Sequence, residues 1–262
     1  MRIYISFLYI FVKIIIGDSM LDFIINFGKT EFLILLAMIP EIILGIIIYK
    51  KDVVEKEPIS LLIKLFLCGI LSSFIALLFE IYLERFLSLF SINKYMLLLI
   101  KSFFTIALVE ELVKWLFTYV ICYNKKEFNY EYDVIVYSSF VALGFASVEN
   151  IIAILGNGFD ISFAIKRSLI TVPAHSFFAI SSGYYLGKAK RYNKRNWFKK
   201  SKKYIIFSLL LPIFIHGMFD YLLFVSTNIS LILETLLIVY LYITSYIKIK
   251  KTYKKDKIKW EV

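Results

Sequence analysis

Apolar positions in this chain fall in long unbroken runs rather than at the alternating or three-to-four spacing of half-buried elements. Runs long enough to cross a bilayer as a helix, which takes about 20 residues, occupy 32–49, 59–79, 101–123, 134–155, 168–187, 204–225 and 229–247. A shorter run, 3–16, carries Lys13 and reads either as a tilted first span or as a signal-peptide core. No small-residue cleavage pattern follows it, so an uncleaved span is expected. The pattern predicts an all-α fold, a polytopic transmembrane helical bundle of about eight spans, or seven if the first is removed. No internal repeat, low-complexity tract or second domain is visible. Residues 1–31 are expected to form an N-terminal span and extracytoplasmic linker, 32–247 one helical membrane domain, and 248–262 a basic cytoplasmic tail.

Composition agrees. Of 262 residues 60% are hydrophobic and 19% charged, against roughly half and a quarter in soluble domains. Cys68 and Cys122 fall in or at the ends of spans and read as small buried hydrophobes rather than a disulfide or metal pair.

The net charge of +11 changes the picture through its placement. The segment GKAKRYNKRNWFKKSKK (187–203) holds nine Lys/Arg, and the tail from Lys248 holds seven. Both flank spans, which excludes a nucleic-acid partner as the simplest reading and points to the positive-inside rule, with anionic lipid attracted to these loops. If both are cytoplasmic, alternation also places Arg2, KKDVVEK (50–56), Lys125 and Lys126 inside. Only Lys29, Arg85, Lys94, Lys166 and Arg167 then lie outside, a split of 22 to 5. The expected protein is therefore multi-pass in the cell membrane, with both termini cytoplasmic.

Against this frame a few polar residues stand out. At 1.5 Å per residue, Glu110, Glu149, His175, His216 and Asp220 lie roughly 8 to 14 Å below the outer surface, on four different helices. Both histidines of the chain belong to this set. Glu110 and Lys114 (in EELVK) and His216 and Asp220 (in HGMFD) are each four apart and share a helix face. Ionisable groups inside a membrane are functional by default, and convergence from four helices strengthens that reading. Lys64 and Lys101 sit near span ends and can snorkel. Glu80, Glu84 and Glu234 lie towards the outer interface and need no special account. Glu41, after Pro40, reads equally as a bundle-facing structural carboxylate or a peripheral site residue.

The chemistry that fits is hydrolysis by activated water. Lys114 is placed to pair with Glu110 or Glu111, leaving the other carboxylate as a general base. Histidine can polarise a carbonyl, stabilise an oxyanion or bind a metal, and Asp220 can orient His216. Neither G-x-S-x-G nor H-E-x-x-H is present.

The ordered set EELVK (110–114), GFASVEN (144–150), PAHSFFAISSGYYLGKAK (173–190) and HGMFDY (216–221), with DVVEKEP (52–58) ahead of it, resembles the PrsW intramembrane proteases, relatives of the CAAX-prenyl-protease-like membrane peptidases. The resemblance covers about residues 32–225. It implies an endoprotease domain over 32–247 that makes the first, extracytoplasmic cut in a single-pass membrane substrate, an anti-sigma factor. It also implies catalytic roles for Glu110, Glu111, Glu149, His175, His216 and Asp220, with Lys114 and Asn150 in support.

Two mechanisms stay open. His175 and His216 with Glu149 or Asp220 make a set of the kind that holds catalytic zinc, with Glu110 as base, and this form is preferred because two imidazoles and two carboxylates converge at one depth. In the metal-free form Glu110 activates water and the histidines stabilise the oxyanion. The competing function is a proton- or ion-coupled transporter, which would commonly show repeated halves with matching broken helices; none is seen.

Overall fold

The structure is a computed structural model that describes residues 18–52, 55–156 and 160–260. Among these residues the protein is all-helical: α1 (Asp18–Lys51), α2 (Ile59–Leu87), α3 (Lys94–Ile100), a π-helical segment (Lys101–Ala107), α4 (Leu108–Cys122), α5 (Asp133–Gly156), α6 (Ile161–Lys194), α7 (Phe198–Val225) and α8 (Asn228–Trp260). The expected run at 3–16 lies outside the described residues. Cys68 and Cys122 are free thiols, as expected.

Local chemistry sets the boundaries. The side chains of Asn93 and Asp160 accept hydrogen bonds from the backbone N–H groups of Tyr95 and Ser162, capping α3 and α6. Ser226, in the left-handed region at φ 50°, ends α7. Pro40, Pro173 and Pro212 lie inside α1, α6 and α7. Each precedes an ionisable residue by a turn or less (Glu41, His175, His216), and each leaves a carbonyl one turn back without its helical partner.

Among the described residues, four helices are long and apolar enough to cross a membrane: Ile59–Leu87, Asp133–Gly156, Phe198–Val225 and Asn228–Lys257. The other expected spans differ for identifiable reasons. The 101–123 run is broken by the π-helical segment, leaving α4 with 15 residues. The 168–187 run lies in a 34-residue helix diluted by serines, lysines and tyrosines.

The polarity of the bundle is that of a membrane protein. Leu67, Leu71, Phe74 and Leu78 of α2, and Ile232, Leu236 and Tyr240 of α8, face outwards, while Ser72, Ser102, Thr105, Ser138 and Ser147 are buried. Buried hydroxyls return their protons to carbonyls: Ser72 to Gly69 (2.6 Å), Ser147 to Leu143 (2.8 Å), and Ser138 across to Ala179 of α6 (2.9 Å). Glycines allow the closest crossings. A Cβ at Gly69 would run into the Val141 carbonyl, and one at Gly144 into that of Phe66, so α2 and α5 touch backbone to backbone. Gly183 sits against Ser138 and Ile135 in the same way, joining α6 to α5. These contacts fix α5, which carries Glu149, against α6, which carries His175.

Candidate active site

The π-helical segment delivers α4 to the bundle interior with Glu110, Glu111 and Lys114 all about 5% exposed. Two adjacent carboxylates cannot share one helix face, yet both are buried because Lys114 stands between them. Its Nζ lies 2.6 Å from Glu111 Oε1 and 3.3 Å from Glu110 Oε2. The same ammonium lies 3.4 Å from His175 Nδ1 and 4.3 Å above the Phe145 ring.

That contact assigns the His175 tautomer. An ammonium only donates, so Nδ1 accepts and the proton sits on Nε2, which donates to Glu149 Oε2 at 2.7 Å. The other Glu149 oxygen accepts from Arg167 (2.8 Å), whose Nε donates to Asn150 Oδ1 (3.2 Å). His216 faces two carboxylates: Nδ1 is 2.9 Å from Glu111 Oε1 and Nε2 is 3.3 Å from Asp220 Oδ2. Its ring stacks on Phe178 at 4.7 Å and stands edge to face with His175 at 5.5 Å.

All six expected catalytic residues, with Lys114 and Asn150, thus meet in one network built from α4, α5, α6 and α7. A cavity of about 180 Å³ opens onto it, lined by Glu80, Glu110, Glu149, Arg167, His175, His216 and Asp220. Glu111 is absent from that lining and is turned instead to Lys114 and His216. Two members were missed. Glu80, set aside as interfacial, lines the cavity; the sequence signal was its position as the first charge after Lys64 in α2. Arg167, counted among the outer positives, orients Glu149, and nothing in its own neighbourhood marked it. Glu41 is 2% exposed and lines a separate, largely apolar cavity with Ile42, Leu62 and Phe140. Its polar neighbours are Asn150 and Arg167, at the edge of the network.

The geometry gathers a different donor set from the one expected for a metal. The Nε2 atoms of His175 and His216 are turned to different carboxylates, whereas Glu110, Glu111 and His175 place ligand atoms within 4.8 Å of one another. Two carboxylates and an imidazole on buried helix faces suit a divalent metal in donor chemistry. Lys114 Nζ contacts all three, so an ammonium and a metal ion would compete for the same donors.

A helical membrane bundle with a buried carboxylate and imidazole centre opening on a cavity defines an intramembrane hydrolase. Residues 57–247 match the family described as PrsW family intramembrane metalloprotease. The chain is similar to Protease PrsW of Clostridioides difficile (strain 630), with 38% identity over 221 residues covering 84% of this chain and 89% of that protein. It is also similar to Protease PrsW of Geobacillus kaustophilus (39% identity; 67% and 72% covered) and of Bacillus subtilis strain 168 (31%; 69% and 77% covered). No solved structure gives a significant match. The chain belongs to the PrsW family and is a multi-pass membrane protease.

Proposed function

We propose that this protease hydrolyses a peptide bond in a single-pass membrane protein, an anti-sigma factor, on the extracytoplasmic side, with Glu110 as the water-activating base. The observation that carries the assignment is the uneven commitment of the three central carboxylates. Glu111 is held by Lys114 and His216, and Glu149 by Arg167 and His175. Glu110 has one longer contact to Lys114 and lines the cavity.

In this reading Glu110 Oε1, the oxygen turned from Lys114, takes a proton from water as its oxygen attacks the scissile carbonyl carbon. The His216 ring, held between Glu111 and Asp220 at the cavity wall, stabilises the oxyanion electrostatically, and Glu110 returns the proton to the departing amine as the C–N bond breaks. His175 and Glu149 hold the opposite wall. In the metal-assisted alternative Glu110, Glu111 and His175 would hold a zinc ion, which would supply a Lewis acid to the carbonyl, and Glu110 would then serve as a ligand as well as a base.

The orientation follows from charge: eight spans with both ends in the cytoplasm place this level of the bundle in the outer half of the membrane. Cysteine at Lys199 is expected to label only from the cytoplasmic side, and cysteine at Asp160 only from outside. The deciding experiment reconstitutes the purified protein with candidate single-pass substrates and locates the cut by mass spectrometry. A cut on the cytoplasmic side, or none with any candidate while substrate is transported, would overturn the reading.

A further inference from the structure

A second group of acids lies at the far end of α5. Asp52 follows α1, Glu57 precedes α2 and Asp133 opens α5; they are 2%, 5% and 1% exposed, and their ligand atoms lie within 4.8 Å of one another. Asp133 is 16 residues before Glu149 on one helix, about 24 Å away at 1.5 Å per residue. This cluster is therefore separate from the protease centre. It contains two of the three acids of DVVEKEP, Asp52 and Glu57, which the proposed reaction does not use.

The partners of these acids are few. Glu57 Oε2 accepts from the Tyr137 hydroxyl at 2.5 Å, and Asp133 Oδ2 accepts from the backbone N–H groups of Asn129 (2.9 Å) and Tyr130 (2.7 Å). The Glu57 backbone N–H donates to the Asp52 carboxylate and the Glu57 and Asp133 side chains are hydrogen-bonded to each other, but Asp52 Oδ2 is sealed from solvent with no hydrogen-bond partner. Among the described residues, no Lys or Arg forms an ion pair with any of the three. Lys56, the lysine in electrostatic reach of Asp52, donates instead to the Tyr49 carbonyl. Glu55 and Asp256 add further negative charge around Asp52. Three carboxylates this close, one with a buried oxygen that has no partner, call for more positive charge than Lys56 supplies from outside any ion pair.

We propose that Asp52, Glu57 and Asp133 form a second divalent-cation site, joining the α1–α2 connection to the head of α5. Its donors are all oxygen, with no imidazole or thiolate, which selects a hard cation such as Mg²⁺ or Mn²⁺ over zinc. The cation stands where a lysine would in an ordinary buried ion cluster and satisfies the free Asp52 oxygen.

The test titrates Mn²⁺ into the full-length protein in detergent at pH 8 and reads free Mn²⁺ by electron paramagnetic resonance. Glu110→Gln removes one donor of the protease centre while keeping the Lys114–Glu111 pair, and is expected to retain one Mn²⁺ per chain that Mg²⁺ displaces. Asp52→Asn is expected to weaken this binding at least tenfold. Glu57→Gln, which keeps an acceptor for Tyr137, should do the same. Without cation both variants should unfold at or above the wild-type Tm, because one like charge is gone. The Tm rise of roughly 5 °C that wild type shows at a hundredfold excess of cation over Kd should vanish in them. Mn²⁺ binding by Asp52→Asn and Glu57→Gln as tight as without these substitutions would overturn the site. So would failure of Glu110→Gln to bind Mn²⁺ at millimolar concentration, which would mean that shared protons hold the acids together.

Discussion

Lys114 Nζ lies 2.6 Å from Glu111 Oε1 in a pair whose side chains are each 6% exposed. This contact separates the two adjacent glutamates in role. One carboxylate is neutralised within its own helix and tied to His216; the other keeps an oxygen for the cavity.

The difference is measurable. Glu110→Gln is expected to lower peptide cleavage by about 10²- to 10⁴-fold, the usual worth of a general base, with little change in thermal unfolding. Glu111→Gln should also lose cleavage, but with a measurable loss of stability of up to about 3 kcal/mol, because it removes the nearer of the two carboxylates that hold a buried ammonium. Cleavage by mass spectrometry and unfolding in detergent separate the two, and wild-type cleavage by Glu110→Gln would remove it as the base.

Lys114→Met removes the ammonium shared by Glu110, Glu111 and His175 and leaves His216 beside Glu111. Metal bound at the protease centre should therefore rise in affinity, while the metal-free protein falls in stability by several kcal/mol, on the order of a broken buried pair. Elemental analysis after dialysis, with and without chelator, checks this. Full wild-type activity with well under one metal per chain, unaffected by strong chelators, would retire the metal-assisted form.

Gly144→Ala tests whether helix approach positions the site. The added methyl meets the Phe66 carbonyl, a backbone atom of α2 that cannot swing aside. The helices must separate, shifting Glu149 five residues on. Cleavage should drop by tenfold or more with an intact protease centre in sequence, whereas Gly156→Ala, where a Cβ meets nothing within 4 Å, should be near neutral.

Asp52 and Glu57 carry the pH prediction. Burial pushes their carboxyls up, to about 6 and about 7. Asp133 and Tyr137 of α5, Glu55 and Lys56 of the connection, and Asp256 of α8 face the same cluster. A carboxyl whose folded pKa lies above its unfolded value favours the folded state when protonated. Cation-free stability should therefore rise as pH falls through 7 and 6, while Mn²⁺ affinity falls over the same window as protons compete. The difference between wild type and Asp52→Asn isolates the effect, and an unchanged difference from pH 8 to 5 would contradict it.

Much of the protease centre was legible because membrane burial makes polar residues rare enough to count. Glu110, Glu149, His175, His216 and Asp220 share one depth, and rise per residue alone puts them there. Their pairing was not legible. Glu149 takes both His175 and Arg167, and His216 reaches Glu111 as well as Asp220, because rotation about each helix axis is set by contacts such as Gly69 on Val141 and Gly183 on Ser138. The π-helical segment at 101–107 also left no mark in hydropathy, since winding does not alter which residues are apolar. Asp52, Glu57 and Asp133 escaped attention because acids next to a basic loop read as ordinary interfacial charge.

The lining of the cavity beside Glu110 bears on what can be cut. The cavity is lined by polar groups of α2, α4, α5, α6 and α7 and by the apolar side chains of Ile106, Leu223 and Phe224. On the proposed function, a substrate would reach Glu110 as an extended strand past these apolar side chains, because a helix keeps each backbone carbonyl engaged in its own i→i−4 hydrogen bond. Selectivity would then rest on how readily a chain melts near the cut, so glycine or proline beside the target bond would serve as the password.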